Sequence, residues 1–291
     1  MLRLLPFYRC QEINVNKQIR IIKWMIILLI PIQQMSIDIY LPSLPRLDEV
    51  FQATNAQSQM TISLYLLGLA IVQPIFGPLS DRYGRKPVVI FGLTGFLLAT
   101  ISSIFSVNMK MLLISRLVQG LGAGSSFVTV SAILSDSFRG KDLAHMTSIC
   151  SIVYALPSII APVIGGYLQH WFDWQASFYF LFVAALLMIV LIVFLLPETN
   201  RDIGKHPISL KPYAKFFRSI SFLGCLSCLL FTFSVMIVFS VLSPFILQDH
   251  FGISVVHYGQ IVLLIGLAYL IGTVMNNRLL HWISSNSIVL I

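Results

Sequence analysis

The chain consists of long apolar runs separated by short polar connections. A helix that crosses the hydrocarbon core of a membrane needs about 20 mostly apolar residues. Runs of this kind lie at residues 21–41, 58–78, 88–107, 111–135, 144–168, 176–196, 219–242 and 259–280. A further apolar stretch begins at Ser287. The pattern therefore predicts an all-α polytopic membrane protein with eight spans in contact with the lipid bilayer.

The composition agrees with a membrane protein and excludes most soluble classes. Charged residues make up 10% of the 291 residues and hydrophobic ones 57%, whereas a soluble domain has about 25% charged residues. The net charge of +8 arises from cations in the connections, so we expect no nucleic-acid partner. The sequence shows no phosphate-binding glycine loop, no metal-ligand spacing of histidines and no nucleophile–base set. We therefore expect a protein that is not an enzyme and holds no metal or other cofactor.

The distribution of Lys and Arg predicts the orientation of the chain. Sixteen of the 19 Lys and Arg residues fall in the N-terminal segment, in the even-numbered connections or at the end of span eight. The opposite side has Arg46 and Lys110, and Arg116 lies inside span four. Cations accumulate on the cytoplasmic side of membrane proteins. We expect a multi-pass protein of a bacterial-type inner membrane, with its N-terminus in the cytoplasm.

Two parts of the chain repeat. Residues 66–70 match residues 264–268 at an offset of 198, and the Pro-containing segment after span one resembles Ser243-Pro244-Phe245-Ile246 at an offset near 200. Spans seven and eight therefore read as a second copy of spans one and two, as in transporters built from two parallel repeats. A second copy of equal length would need roughly four more spans, so we expect a truncated chain.

The repeat divides the chain into four segments. These are a cytoplasmic N-terminal segment at 1–20, a complete six-helix bundle at 21–196, a cytoplasmic central loop at 197–218, and an incomplete second bundle at 219–291 with two helices and the start of a third.

The connection between spans two and three contains the most specific string of the sequence. It reads Gly77-Pro78-Leu79-Ser80-Asp81-Arg82-Tyr83-Gly84-Arg85-Lys86. Gly77 permits close helix approach and Gly84 can adopt the positive φ of a tight turn. Asp81 and the neighbouring cations are expected to form ion pairs that break when two halves of a transporter move.

This string resembles the signature of the major facilitator superfamily between its second and third helices. Three other strings are similar to motifs of that family: Ile114 to Gly124 in span four, Ala161 to Gly166 in span five, and Ile37 to Pro45 at the end of span one, as in Bcr/CflA multidrug exporters. The chain departs from the family pattern at Ala161, where glycine is usual, and at Gln175, where arginine is usual. The resemblance implies a proton-coupled exporter of drugs or other small hydrophobic compounds, with the proton gradient as its energy source. The substrate site would lie between the two halves near the midplane.

Asp38 and Arg116 are the sharpest site candidates, together with Gln119 on the same helix. A charge inside the membrane is costly, so Arg116 should face a cavity or a partner. At 1.5 Å per residue, Asp38 lies about 4.5 Å and Arg116 about 7.5 Å from the same end of their spans. We hypothesise that the two charges pair or share a polar cavity in which Asp38 accepts a proton. The alternative is that Asp38 caps its helix and Arg116 extends outward to the membrane surface.

Span five carries a second candidate motif of Pro157, Pro162, Gly165 and Gly166. Its prolines predict a helix that can bend, and the resemblance implies a role in exchange direction and in sealing the cavity. On the cytoplasmic side, Arg139 and Glu198 are candidate gate residues. Glu198 is expected to pair with Arg85 or Arg139, with a solvated glutamate as the alternative.

Three alternatives to an active exporter remain open. The chain is an inactive remnant, or it is one part of a split transporter completed by a second polypeptide, or two copies assemble to supply the missing helices. In each active case the partners are the bilayer, protons and a small-molecule substrate.

Overall fold

A computed structural model describes residues 5–200, 203–204 and 219–279 of the protein. Within these residues the chain forms helices, turns and short connections without a β-strand, which confirms the predicted all-α class. The helices are α1 (Leu5–Asp38), α2 (Leu44–Phe51), α3 (Asn55–Tyr83), α4 (Arg85–Ile104), α5 (Met109–Ser137), α6 (Gly140–Phe172), α7 (Gln175–Leu195), α8 (Ile220–Pro244) and α9 (Val255–Leu279). The stretch at 287–291 and most of the central loop lie outside the described residues.

Seven helical stretches of the described chain are long and apolar enough to cross a membrane, with α1 and α2 counted as one stretch from Gln18 to Phe51. The eighth predicted span corresponds to α9, which runs over 25 residues from Val255 to Leu279. Several helices exceed their predicted spans: α6 runs from Gly140 to Phe172. Hydropathy identifies only the apolar part of a helix. The polar turns at its ends are also helical, because their backbone hydrogen bonds continue, and they make the helix longer than the predicted span.

Residues at the helix ends specify where the helices begin. Thr54 and Gln57 form a reciprocal capping box at the start of α3, which satisfies two backbone N–H groups. Asn108 accepts a 2.9 Å hydrogen bond from the backbone N–H of Met111 at the start of α5. Gly84, between α3 and α4, has a φ of 99°, a conformation that other residues rarely adopt. Gly84 marks one end of the helix bundle, the Gly84 end.

Glycines bring α5 into close contact with α3 and α4. A Cβ at Gly122 would lie 2.6 Å from the carbonyl oxygen of Gly92 on α4. Cβ atoms at Gly120 and Gly124 would clash instead with the backbone and side chains of α3. Glycines four residues apart occupy one helix face and permit such approach. The glycine-rich stretch therefore serves two interfaces at once, and α5 lies between α3 and α4.

The second unit, α8 and α9, contacts the first unit, α1 to α7, in two places. The side chains of α8 are exposed along most of its length, with Phe231 75% exposed, and the described ones become buried at its end, from Ser243 to Phe245. Just beyond, the Gln248 side chain donates a 2.9 Å hydrogen bond to the carbonyl of Pro42. The main contact is α9, which packs along α6.

The structure shows the internal repeat at an offset of 200. Gln52 and Gly252 both have positive φ, at 48° and 66°. Thr54 and Ser254 then accept hydrogen bonds from the backbone N–H three residues later, at the starts of α3 and α9. The two units thus share the same turn and the same type of cap.

The predicted offset of 198 in the spans is wrong for the helices themselves. A Cβ at Gly68 would clash with the backbone of α5 at Leu117, whereas one at Gly266 would lie 2.6 Å from the side chain of Ile159 on α6. A shift of two residues turns a helix by about 200°, so these two glycines face opposite directions.

Candidate functional site

Arg116 is completely buried in the first unit. It donates hydrogen bonds from Nη1 to Gln119 Oε1 at 2.5 Å and from Nη2 to the carbonyl oxygen of Ser36 at 3.1 Å. Gln119 in turn donates to Thr100 Oγ1 at 2.7 Å. Among the described residues no carboxylate lies within ion-pair distance of Arg116, so its charge is held by amide and carbonyl dipoles.

Three aromatic rings complete the surroundings of the guanidinium. Its central carbon lies 4.5 Å from the ring centroid of Tyr65, 4.9 Å from that of Tyr40 and 5.9 Å from that of Phe178. Cations are attracted to the faces of such rings, most strongly where water is excluded. Because its side chain is enclosed by these groups, Arg116 does not extend to the membrane surface, and that alternative is wrong.

Asp38, the last residue of α1, is also buried, with 6% of its surface exposed. Gln34 donates a 2.9 Å hydrogen bond from Nε2 to its carboxylate. The carbonyl of the next residue, Ile39, packs against Gly165 of α6, and the turn at residues 41–43 contacts α9. Asp38 therefore lies where α1 and α6 of the first unit face α9 of the second.

The structure does not bring Asp38 and Arg116 into an ion pair. Arg116 is directed at rings from α3, α7 and the segment after α1, whereas the Asp38 carboxylate accepts a hydrogen bond from Gln34 on its own helix. Their similar depth was predicted from sequence, but depth along a helix does not determine which face a side chain occupies. The proposed role of Asp38 as a proton acceptor remains a prediction.

Arg85 forms the centre of a second polar cluster, at the Gly84 end. Its side chain, 8% exposed, donates to Asp81 Oδ1 at 2.5 Å, to Ser80 Oγ at 2.7 Å and to Asp136 Oδ2 at 2.9 Å. These contacts join the ends of α3, α4 and α5. The sequence analysis did not identify Asp136 as a partner of Arg85. Its acidic side chain, at the end of span four and on the same side as the cationic connection, could have indicated this contact.

All these Arg85 contacts lie within the first unit. The expected ion pair of Asp81 is present, and its breaking when the two halves move stays a prediction. A cluster confined to one unit fixes the relative positions of three helix ends, so that they move together.

Glu198 binds the N-terminus of α4 and not a cationic side chain. Its carboxylate accepts hydrogen bonds from the backbone N–H groups of Arg85 at 2.9 Å and Lys86 at 3.0 Å. The free N–H groups and the dipole of a helix N-terminus favour an anion. The predicted ion pairs of Glu198 with the side chains of Arg85 or Arg139 are absent. Arg139 is exposed and forms no ion pair within the part of the chain that the structure describes.

The other residues of the connection have different surroundings. A Cβ at Gly84 would lie 2.6 Å from Glu198 Oε2, so the carboxylate requires glycine there. The carbonyl of Gly77 accepts a 2.9 Å hydrogen bond from the Ser80 hydroxyl. Arg82 is exposed over the ring of Tyr83, 5.6 Å from its centroid. The Lys86 ammonium donates to the carbonyl of Val193 on α7 at 2.8 Å.

The span-five motif lies in α6, which continues through both prolines. Its two glycines face different helices. A Cβ at Gly165 would lie 2.8 Å from the carbonyl carbon of Ile39 at the end of α1, and one at Gly166 would lie 2.8 Å from the carbonyl oxygen of Val255 on α9. The motif thus packs α6 against both units, and no cluster in the described ranges has the composition of a metal site.

The fold and the buried polar groups define a polytopic α-helical membrane protein with charged side chains inside its helix bundle. A family model described as Major Facilitator Superfamily matches residues 26–291. The chain belongs to this family of transporters, which confirms the resemblance seen in its motifs.

Curated relatives are bacterial transport proteins. The chain is 30% identical over 263 residues to an uncharacterized transporter of Rickettsia bellii, with 86% of this chain and 62% of the relative covered. It is 28% identical over 251 residues to the bicyclomycin resistance protein homolog of Haemophilus influenzae, covering 83% and 62%. The multidrug resistance protein MdtL of a Shewanella strain is 30% identical, with 87% and 64% covered. The chain thus spans about 62% of the length of such relatives.

Two solved structures share the fold. The human organic anion transporter MFSD10 superimposes with a TM-score of 0.65 at 20% identity, covering 86% of this chain and 70% of the other. A D-xylose–proton symporter gives a TM-score of 0.62 at 14% identity, covering 91% and 69%. At these identities the likeness concerns the arrangement of the helices.

Proposed function

We propose that the protein acts in proton-coupled export of drugs or other small hydrophobic compounds across a bacterial-type inner membrane, with its N-terminus in the cytoplasm. The observation that carries the proposal is Asp38, the one buried carboxylate among the described side chains. Ionisable groups inside a membrane protein are costly and mark ion or substrate pathways. The names of the relatives from Haemophilus and Shewanella support a drug as the substrate.

The chemistry of a single carboxylate accounts for exchange. An ionised Asp38 attracts either a proton or a cationic group of a substrate, and one bound charge reduces the attraction for the other. Its hydrogen-bond partner, Gln34, is neutral, so no fixed cation among the described residues competes with these two ligands. The site also faces α9, and movement of the second unit would therefore change its access.

The Arg85 cluster has a mechanical role in this proposal. It holds the ends of α3, α4 and α5 together, and Glu198 adds the segment after α7. The first unit would then rock as one body against the second around Asp38, as repeats do in such transporters.

The exposure of α8 favours a second candidate function, as one component of a transporter with further spans. Its middle turns leave residues such as Phe231 and Val235 more than 70% exposed. In relatives of full length, further helices are available to cover such a surface. Those helices would come from a longer form of this chain, from a second polypeptide or from another copy.

An efflux assay on the Asp38→Asn variant tests the proton role. The protein is reconstituted in vesicles with a fluorescent cationic drug, and efflux is driven by an imposed pH gradient. We expect Asp38→Asn to abolish the gradient-driven component and Asp142→Asn, an exposed carboxylate on α6, to retain it. Gradient-driven efflux by Asp38→Asn at the parental rate would show that the proton binds elsewhere.

Orientation is tested separately at the Gly84 end. Tyr83 is 55% exposed, and a Tyr83→Cys variant in a background without native cysteines can be labelled by a membrane-impermeant maleimide. We expect labelling only from the cytoplasmic side, because the Lys and Arg distribution places this end there. Labelling of intact cells from outside would reverse the topology.

A further inference from the structure

The two units are closest at the end of the bundle opposite Gly84. A Cβ at Gly166 on α6 would lie 2.8 Å from the carbonyl oxygen of Val255, at the start of α9. Ile152 lies fourteen residues earlier, on nearly the same face of α6, yet it is 60% exposed. The helices of the two units therefore touch at this end and leave that face of α6 open toward the Gly84 end.

A side chain of the second unit is hydrogen-bonded to the backbone of the first unit at this junction. Gln248 lies in the segment Phe245–His250 that follows α8, and its Nε2 donates to the carbonyl oxygen of Pro42 at 2.9 Å. Pro42 belongs to the turn at residues 41–43, which contacts both α8 and α9. Pro45, three residues later, has no N–H and cannot donate to this carbonyl in a 3₁₀ turn. The carbonyl is therefore available to Gln248.

The next residue of the turn places an unpaired polar group at the same junction. The Ser43 side chain is completely buried, and its hydroxyl has no hydrogen-bond partner among the described residues. A buried hydroxyl without a partner is destabilising, because it has lost its hydrogen bonds to water. The closed junction thus contains one hydrogen bond that stabilises it and one hydroxyl that destabilises it.

We propose that Gln248 and Ser43 set the balance between a closed and an open form of this junction, with Gln248 as the latch that holds it closed. When the second unit moves away, Gln248 loses its acceptor, whereas the Ser43 hydroxyl becomes accessible to water. The two effects have opposite signs and comparable size, so this pair favours neither form strongly. The inference rests on the rocking of the two units in the proposed function, and it does not depend on Asp38 as the proton site.

Other polar contacts near the junction do not cross it. The hydroxyls of Ser243 and Tyr258 are 3.1 Å apart and both belong to the second unit. Arg46 and Asp173 form an ion pair at 3.2 Å within the first unit. Both contacts can persist when the units separate. Among the described residues, Gln248 has the side chain that hydrogen-bonds from one unit to the other.

Distance measurements between spin labels test the latch on the whole chain in vesicles. In a background with the four native cysteines replaced, labels are placed at Val50→Cys on α2 and at Phe251→Cys, exposed positions in the first and second unit. Gln248→Met keeps the length of the side chain but removes the donor. We expect it to raise the ratio of the longer to the shorter distance about 2- to 13-fold, which corresponds to one hydrogen bond of about 0.5–1.5 kcal/mol. Gln260→Met, at an exposed position of α9, is the matched control and should leave the ratio unchanged.

Ser43→Ala tests the opposing hydroxyl. It is added to Gln248→Met, in which the longer distance is well populated. We expect it to lower the ratio again by at least about 5-fold, because the closed form then contains no unpaired hydroxyl. Ser151→Ala in the same background is the control, since the Ser151 hydroxyl donates to the carbonyl of Thr147 within α6, at 3.0 Å. Gln248→Ala replaces Gln248→Met if that variant does not elute as a single species.

The outcomes separate the parts of the proposal. A ratio that neither Gln248→Met nor Gln248→Ala changes, or an equal shift in Gln260→Met, overturns the latch. If Ser43→Ala leaves the ratio unchanged or raises it, the role of Ser43 is overturned. The proton role of Asp38 fails separately, through efflux by Asp38→Asn at the parental rate, and opposite shifts by Gln248→Met and Ser43→Ala would support the latch in that case too.

Discussion

Gly165 allows a quantitative test of how tightly α6 packs on α1. In Gly165→Ala the new methyl group would lie 2.8 Å from the carbonyl carbon of Ile39, about 0.6 Å inside the 3.4 Å at which ordinary contact begins, and closer still to its oxygen. The obstacle is backbone, so it cannot rotate away. That same carbonyl oxygen accepts a 3.2 Å hydrogen bond from Ser177 on α7, which holds α1 in place.

The expected loss of stability follows from these contacts. Overpacking of a tightly packed interior costs about 1–3 kcal/mol, and loss of the Ser177 hydrogen bond adds about 0.5–1.5 kcal/mol. We therefore expect Gly165→Ala to lower the free energy of unfolding by about 1.5–4.5 kcal/mol. Gly166→Ala, whose methyl group would lie 2.8 Å from the Val255 carbonyl oxygen on α9, should cost less, because α9 has fewer neighbours to hold it.

Gly95→Ala on α4 provides the control, because no atom lies within 4 Å of a Cβ at that position. Replacing a glycine inside a helix with alanine should raise the stability by about 0.5–1 kcal/mol. The three variants are compared by equilibrium unfolding in mixed micelles, followed by tryptophan fluorescence. If Gly165→Ala is as stable as Gly95→Ala, the close contact between α6 and α1 does not exist.

Three further substitutions test the polar clusters, with the same unfolding assay as the measurement. Asp136→Asn removes one carboxylate from the buried Arg85 and should cost about 1–2 kcal/mol; an unchanged stability would contradict the cluster. Glu198→Gln should cost about 0.3–1 kcal/mol, the value of an anion at a helix N-terminus, and added salt should shrink the difference; a salt-independent loss would refute the electrostatic cause. Arg116→Lys cannot serve several hydrogen bonds and three rings at once, and it should destabilise more than Arg46→Lys, whose side chain is 42% exposed. Equal losses would refute the assigned surroundings of Arg116.

Most of the fold could be predicted from the sequence because hydropathy alone determines where a chain crosses a membrane. The seven spanning stretches and the connection at Gly84 were found in this way. The burial of Asp38 and Arg116 also followed, since their positions fix their depth. Their partners did not follow, because the rotation of each helix depends on packing, such as the contact between Gly165 and Ile39.

The contacts of Glu198 show a second limit of sequence reasoning. From the sequence, Glu198 was expected to pair with a charged side chain. In the structure it binds the backbone N–H groups of Arg85 and Lys86. Backbone N–H groups are present at the N-terminus of every helix whatever its residues are, so the residue types do not reveal them as partners of a carboxylate. The offset of the repeat failed for a related reason: Gly68 and Gly266 match in letters but differ in the helices that they face.

The attachment of the segment after α7 changes how the two units can pull on each other. Beyond Glu198, the Asn200 amide donates to the Asp81 carbonyl at 2.8 Å and the Gly204 N–H donates to the Arg82 carbonyl at 3.1 Å. The linker to the second unit is therefore anchored at the turn between α3 and α4, and not at the tip of α7. A force transmitted through this linker would act first on the turn between α3 and α4, and α7 would not carry it.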